Sequence, residues 1–153
     1  DATWVTPSTR APLTDETEAI APTADLPPGE AIAQLVASGA APLDDLQFRT
    51  GASELSGDDY PSLLALAAFL AEDPGRRVVL VGHTDAEGGR ASNIALSEAR
   101  AGAVRRHLID VLGVNPTQLD AAGIGYLAPR ATNETAGGRE ANRRVEVVLL
   151  NGG

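Results

Sequence analysis

The sequence predicts a mixed α/β sandwich, one sheet with helices packed on one side, and three observations predict it. Helical and strand patterns alternate along the chain, as that layered arrangement requires. Val78-Val79-Leu80-Val81 has no polar alternation, which marks a strand buried on both faces in the middle of a sheet. The 153 residues, 43% hydrophobic and 22% charged, suit one globular domain with a segment to spare.

That segment comes first. Five of the ten prolines fall within residues 1–28, among threonine, alanine and acidic side chains with little apolar periodicity, so 1–28 reads as a linker. Charge marks a boundary too: residues 1–60 hold 11 acidic and 2 arginine side chains, whereas 61–153 hold 10 of each. Residues 29–43 read as a short helix leading into the domain, with Ile32, Leu35 and Val36 at helical spacing and Gly39 as the stop. The domain proper is expected over 44–150, with a tail at 151–153. Leu43 to Phe48 reads as its first strand and 50–53 as a turn.

Asp58-Asp59-Tyr60-Pro61 then supplies acidic first-turn residues and a proline at the first helical position, and Leu63, Leu66, Ala67 and Leu70 share one face before Pro74-Gly75. The buried strand 78–81 ends at Gly82. A longer helix runs from Ala91 to Leu112 and stops at Gly113. Leu119 to Gly125 is a weaker strand pattern, and 126–141 a polar loop holding a helical turn begun by Thr135. Val145, Val147 and Leu149 close the chain as a strand with one face more exposed.

Composition excludes several functions. A net charge of −9 argues against a broad nucleic-acid or anionic-membrane footprint. All 12 basic residues are arginine, so no side chain offers a catalytic amine, and the absence of cysteine removes disulfides and thiolate chemistry. His83 and His107 are a poor metal set, and a structural or surface role suits them. No apolar run approaches the length of a bilayer crossing. The chain also lacks methionine, so it is expected to be either a processed mature protein or a trimmed piece whose targeting signal lies upstream of Asp1.

One constellation carries chemistry. At 100° per residue Asn93, Ser97 and Arg100 share a stripe of the long helix with Val104, Leu108 and Val111. The second half is apolar, as a sheet-facing stripe must be. The first half carries an amide, a hydroxyl and a guanidinium, which cannot be buried without partners. Asp85, in the loop leaving the buried strand, is the expected acid. Two readings stay open on pattern alone: a structural ion pair between Asp85 and Arg100, or two opposite charges held apart for a ligand that carries both.

The run Val81-Gly82-His83-Thr84-Asp85-x-x-Gly88, then Asn93-x-x-Leu96-Ser97-x-x-Arg100-Ala101-x-x-Val104, Gly123-x-Gly125 and Gly138-Arg139-x-x-Asn142-Arg143-Arg144-Val145-Glu146 resembles the OmpA-like peptidoglycan-binding domain of OmpA, Pal and MotB-type proteins. The resemblance covers about 44–150. It implies a βαβαβ-type domain that binds the peptide stem of diaminopimelate-type peptidoglycan non-covalently, with no cofactor and no catalytic residue. By the same resemblance Asp85 takes the ammonium of diaminopimelate and Arg100 its carboxylate. Thr84, Asn93 and Arg143 complete the set, and Thr50 and Gly51 belong to a loop lining the site. Where many members have asparagine in that loop, Gly51 leaves only backbone donors. The implied setting is the periplasmic face of a bacterial envelope, tethered to the outer membrane from upstream.

Other readings have weaker support. A protein-interaction or oligomerisation domain would use Asp85 and Arg100 only structurally. A hydrolase triad can be drawn from His83, Asp85 and Ser92 or Ser97, but no G-x-S-x-G elbow is present. The glycine-rich turns lack both the P-loop Lys-Ser/Thr and the third dinucleotide glycine. Arg143 and Arg144 should point to opposite faces of a strand, one lining the site and the other in solvent. Arg76-Arg77 and Arg105-Arg106 read as exposed charge.

Overall fold

A computed structural model describes residues 28–46, 48, 51–55 and 60–151. The expected linker lies outside the described residues apart from Pro28, which opens α1 (Pro28–Ser38). Then follow β1 (Ala40–Pro42), α2 (Pro61–Ala71), β2 (Arg77–Gly82) and α3 (Arg90–Asp110). A 3-10 turn (Pro116–Gln118), β3 (Leu119–Gly123), α4 (Ala136–Asn142) and β4 (Val145–Asn151) complete the fold.

The four strands form one mixed sheet in the order β1-β4-β2-β3. β4 runs antiparallel to β1 and to β2, while β2 and β3 are parallel and joined through α3. Register pairs Leu80 with Val147 and Gly82 with Val145. Alternation therefore sends Val78, Leu80, Val145 and Val147 to one face, where they meet Leu35, Leu63, Leu66, Leu70, Val104 and Leu108 in the core. β2 is central, as its apolar run predicts, but fully buried on that face only. Val79 and Val81 on the other face are half-buried, because the core helices cover a single side.

The first strand is not where alternation suggested. It occupies Ala40–Pro42, and Leu43 N–H still donates to Val145 O (3.0 Å) before Leu43 to Leu46 turn away, Leu46 N–H reaching Leu43 O at 3.3 Å. The two aspartates in that turn explain the departure. Asp44 pairs with Arg130 (2.6 Å), and Asp45 Oδ2 accepts from the Ser62 amide (2.9 Å), meeting the unfilled amide end of α2. Leu43, Leu46 and Phe48 are buried as irregular chain. Pro61 sits in the first turn of α2 as expected; Asp58 and Asp59 lie outside the described residues.

α3 starts one residue earlier than its pattern and ends at Asp110. Gly113, in the left-handed region at φ +75°, closes it, with Gly113 N–H donating to Ile109 O and Val114 N–H to Leu108 O. Val111 thus falls beyond the helix and is 61% exposed, off the sheet-facing stripe on which it was expected. The turn begun by Thr135 is the helix α4, its hydroxyl accepting from Gly138 N–H at 3.0 Å. Arg76 and Arg105 are not simply solvated charge: Arg76 donates to Phe69 O (2.6 Å) and Arg105 to Leu119 O (3.0 Å) and Pro116 O (3.1 Å).

Candidate functional site

The site begins where α3 crosses the ends of β2 and β3. A β-carbon on Gly82 would strike the main chain of Ser97, and one on Gly123 would strike the Ser97 side chain and the Glu98 amide. Glycine at both positions lets helix and sheet approach this closely. Ser97 fixes the contact: its hydroxyl accepts from Gly125 N–H (2.9 Å) and donates to Ile94 O (2.8 Å). Arg100, one turn further along, is thereby carried inside the molecule.

Arg100 has no exposed surface (0%). Its Nε donates to Ala52 O (2.8 Å) and its Nη1 to His83 O (3.3 Å), and its guanidinium lies 5.2 Å from the centre of the Phe48 ring. Burial, reinforced by the neighbouring charge of Arg143, lowers its pKa to about 10, with Asp85 acting in the opposite direction. It stays protonated at neutral pH.

Asp85 is buried at the start of the loop after β2. Its Oδ2 meets Arg143 Nη1 at 2.8 Å and its Oδ1 accepts from Glu87 N–H at 3.0 Å. Among the described residues no ion pair joins Asp85 to Arg100. Thr84 holds the loop from both ends, its amide donating to Gly125 O (2.9 Å) and its hydroxyl to Asp85 O (2.9 Å). Asn93, buried on the first turn of α3, donates from its side chain to Glu87 O at 2.8 Å. Asp85, Thr84, Asn93, Arg100 and Arg143 thus converge around one loop and the end of one strand. Gly51 is exposed in a turn at φ +76°, next to the Ala52 whose carbonyl Arg100 engages. Thr50 lies outside the described residues.

Three features escaped the sequence patterns. α4 and the residue that follows it strap the Asp85 loop twice, through Arg139 to Glu87 (3.3 Å) and through Arg143 to Asp85. Asn142, fully buried, organises the chain before α4: its Oδ1 accepts from Arg130 and Ala131 amides, and its Nδ2 donates to Ala131 O and Asn133 Oδ1. Its position at the head of the Asn142-Arg143-Arg144 run was the available signal. Arg144, expected in solvent, is only 5% exposed, paired with Glu146 (2.6 Å) and donating to Ala128 O (3.1 Å). The chain around Ala128 shields it, and Glu146 supplies the countercharge. His83, also buried, has its pKa lowered to about 4, first by loss of solvation and then by Arg144.

Among the described residues no group of three histidine, aspartate or glutamate side chains could hold a metal, and no helix is long and apolar enough to cross a membrane. What the cluster offers is a buried carboxylate and two guanidinium groups at neighbouring positions.

Residues 47–143 match the OmpA family. The chain is 40% identical over 102 residues to outer membrane porin F of Pseudomonas aeruginosa, covering 67% of this chain and 29% of that protein. It is 48% identical over 95 residues to the peptidoglycan-associated lipoprotein of the same organism, covering 60% of this chain and 56% of that one. The crystal structure of the peptidoglycan-associated lipoprotein from Burkholderia pseudomallei superposes with a TM-score of 0.64 at 29% identity, covering 74% of this chain and 92% of that one. The chain spans less than a third of the porin and just over half of the lipoprotein it matches. The family match over residues 47–143, more than half of the chain, places this protein in the OmpA family.

Proposed function

We propose that this domain binds peptidoglycan non-covalently through the diaminopimelate of its peptide stem, and so anchors an envelope protein at the periplasmic face of the outer membrane. One observation carries the reading: Asp85 and Arg100, both buried and of opposite charge, are close neighbours yet not each other's ion-pair partner. Diaminopimelate ends in an ammonium and a carboxylate on one carbon. Asp85 takes the first and Arg100 the second, with Arg143 beside them and Thr84, Asn93 and the Gly51 turn shaping the surroundings. The names of the relatives, one peptidoglycan-associated and another an outer membrane porin, support both the polymer and the compartment.

The energetics favour this division of labour. Among the described residues Arg100 donates to the neutral carbonyls of Ala52 and His83. Exchanging a carbonyl for a carboxylate makes a charge-assisted contact, worth about 1.5 to 3 kcal/mol when enclosed and about 0 to 1 kcal/mol when exposed. Because Arg100 has no exposed surface, the chain at Ala52 must yield as the carboxylate enters. The ammonium joins a carboxylate that already carries one guanidinium, so each contact is modest. Affinity in a wall then comes from many stems on one polymer. The chain's net charge of −9 does not oppose binding to a locally zwitterionic group, since charges beyond about 8 to 10 Å are screened.

Co-sedimentation with insoluble peptidoglycan sacs tests the assignment. The wild-type chain pellets with the sacs, whereas Asp85→Ala and Arg100→Ala, each still folded by circular dichroism, stay in the supernatant. Both variants pelleting at the wild-type level would refute it. No soluble muropeptides accumulate during the incubation; their release would mark a hydrolase instead.

A further inference from the structure

His83 is a buried titratable residue whose side chain the proposed binding does not use. Its main chain joins the two sides of the site: the amide donates to Arg144 O (2.8 Å), and the carbonyl accepts from Arg100 Nη1 (3.3 Å). A β-carbon on Gly82, just before it, would meet α3, and several charged and polar groups act on the imidazole. Those groups are Arg144 just before β4, Glu146 within it, and Arg130 and the Ala128 main chain between β3 and α4. Arg144 is matched by Glu146 at 2.6 Å and Arg130 by Asp44 at 2.6 Å. The residue is 4% exposed and neither ring nitrogen has a partner in hydrogen-bonding geometry among the described residues.

We propose that His83 is a positioning residue, its buried neutral ring fixing the main-chain carbonyl that anchors Arg100. The inference rests on the reading of Arg100 as the carboxylate-binding group. The buried ring feels the charges of Arg144, Glu146 and Arg130, so the main chain at 83 cannot shift without carrying the imidazole through packed surroundings. A smaller side chain leaves a void there and frees the carbonyl to drift. A charged ring would add a third cation beside Arg144 and Arg130, with the same result. The lowering of its pKa to about 4, caused mainly by burial, keeps the imidazole neutral across the range in which the wall would be bound. Glutamine, neutral and of similar bulk, should hold the same position.

The test uses the 153-residue chain, the tripeptide L-alanyl-γ-D-glutamyl-diaminopimelate and the NMR signals of arginine Nε–Hε groups. His83→Ala is expected to move the Arg100 signal, leave that of Arg105 (bound to Leu119 O) in place, and weaken tripeptide binding about tenfold; His83→Gln restores both. On acidification, the difference between wild type and His83→Gln in the Arg100 signal develops with a midpoint near pH 4. That comparison stands even if His83→Ala fails to fold. An unmoved Arg100 signal in His83→Ala, or identical acid titrations of wild type and His83→Gln, overturns the proposal. If the wild type does not bind the tripeptide, the reading of the site falls, while the Arg100 signal still decides whether His83 positions it.

Discussion

Between Arg90 and Arg100 the buried positions of α3 are Asn93, Ser97 and Arg100; from Ala101 onward they are Ala101, Val104 and Leu108. Both halves press against the same sheet. The apolar half is held by non-directional burial and tolerates small shifts, because any close-packed arrangement removes the same surface from water. The polar half is held by bonds with fixed geometry, Ser97 to Gly125 and Arg100 to Ala52 and His83, and by two glycines that admit no β-carbon. Stability belongs mainly to one half and placement to the other. A single helix thereby delivers a guanidinium to the ends of the strands without losing its grip on the core.

The largest expected effect lies in the apolar half. Leu108→Ala should lower the unfolding free energy by about 2 to 5 kcal/mol, through lost burial and the void left behind, as read by urea denaturation. Sac binding per folded molecule should be unchanged; a loss of binding at full folding would break the division between the halves.

Acid probes the strand ends next to the polar half. The folded pKa of His83, about 4, lies below its ordinary 6.5, so the unfolded chain takes up the proton first. Stability from this group is whole above about pH 6.5, falls as the pH drops, and levels off below about 4. The shift corresponds to about 3 kcal/mol. Subtracting the pH–stability curve of His83→Gln from that of the wild type should isolate this slope, and parallel curves would contradict it.

Ser97→Ala comes next, at about 1 to 2 kcal/mol, since it leaves the buried Gly125 amide without its acceptor. Here sac binding should fall by more than the stability loss explains, because the helix is no longer pinned where it carries Arg100. Proportional losses would mean that Ser97 serves stability alone.

Much of this was legible in the sequence, for identifiable reasons. α2, α3, β2 and β4 carry strong periodicity or apolar runs of their own, and Thr135 announced α4 by capping chemistry. β1 was not legible: Ala40-Ala41-Pro42 has no strand preference, and only pairing with β4 makes it a strand. The polar stripe of α3 was visible as a conflict between burial and charge, but its resolution was not. Arg143 reaches Asp85 across 58 positions of sequence, and no local pattern encodes that distance. Arg144 failed for a related reason. Arg143 and Arg144 lie between α4 and β4 and not on the strand expected for them, so alternation does not govern them, and what covers Arg144 is decided by distant chain, here the segment at Ala128.

Isothermal titration of the chain with two tripeptides, one ending in diaminopimelate and the other in lysine, tests the central claim most directly. They differ by the carboxylate assigned to Arg100, and a charge-assisted contact worth about 1.5 to 3 kcal/mol corresponds to about 10- to 100-fold in affinity. The diaminopimelate peptide should bind tighter by that factor, and the preference should vanish in Arg100→Ala. Equal affinity of the wild-type chain for both peptides would contradict the account.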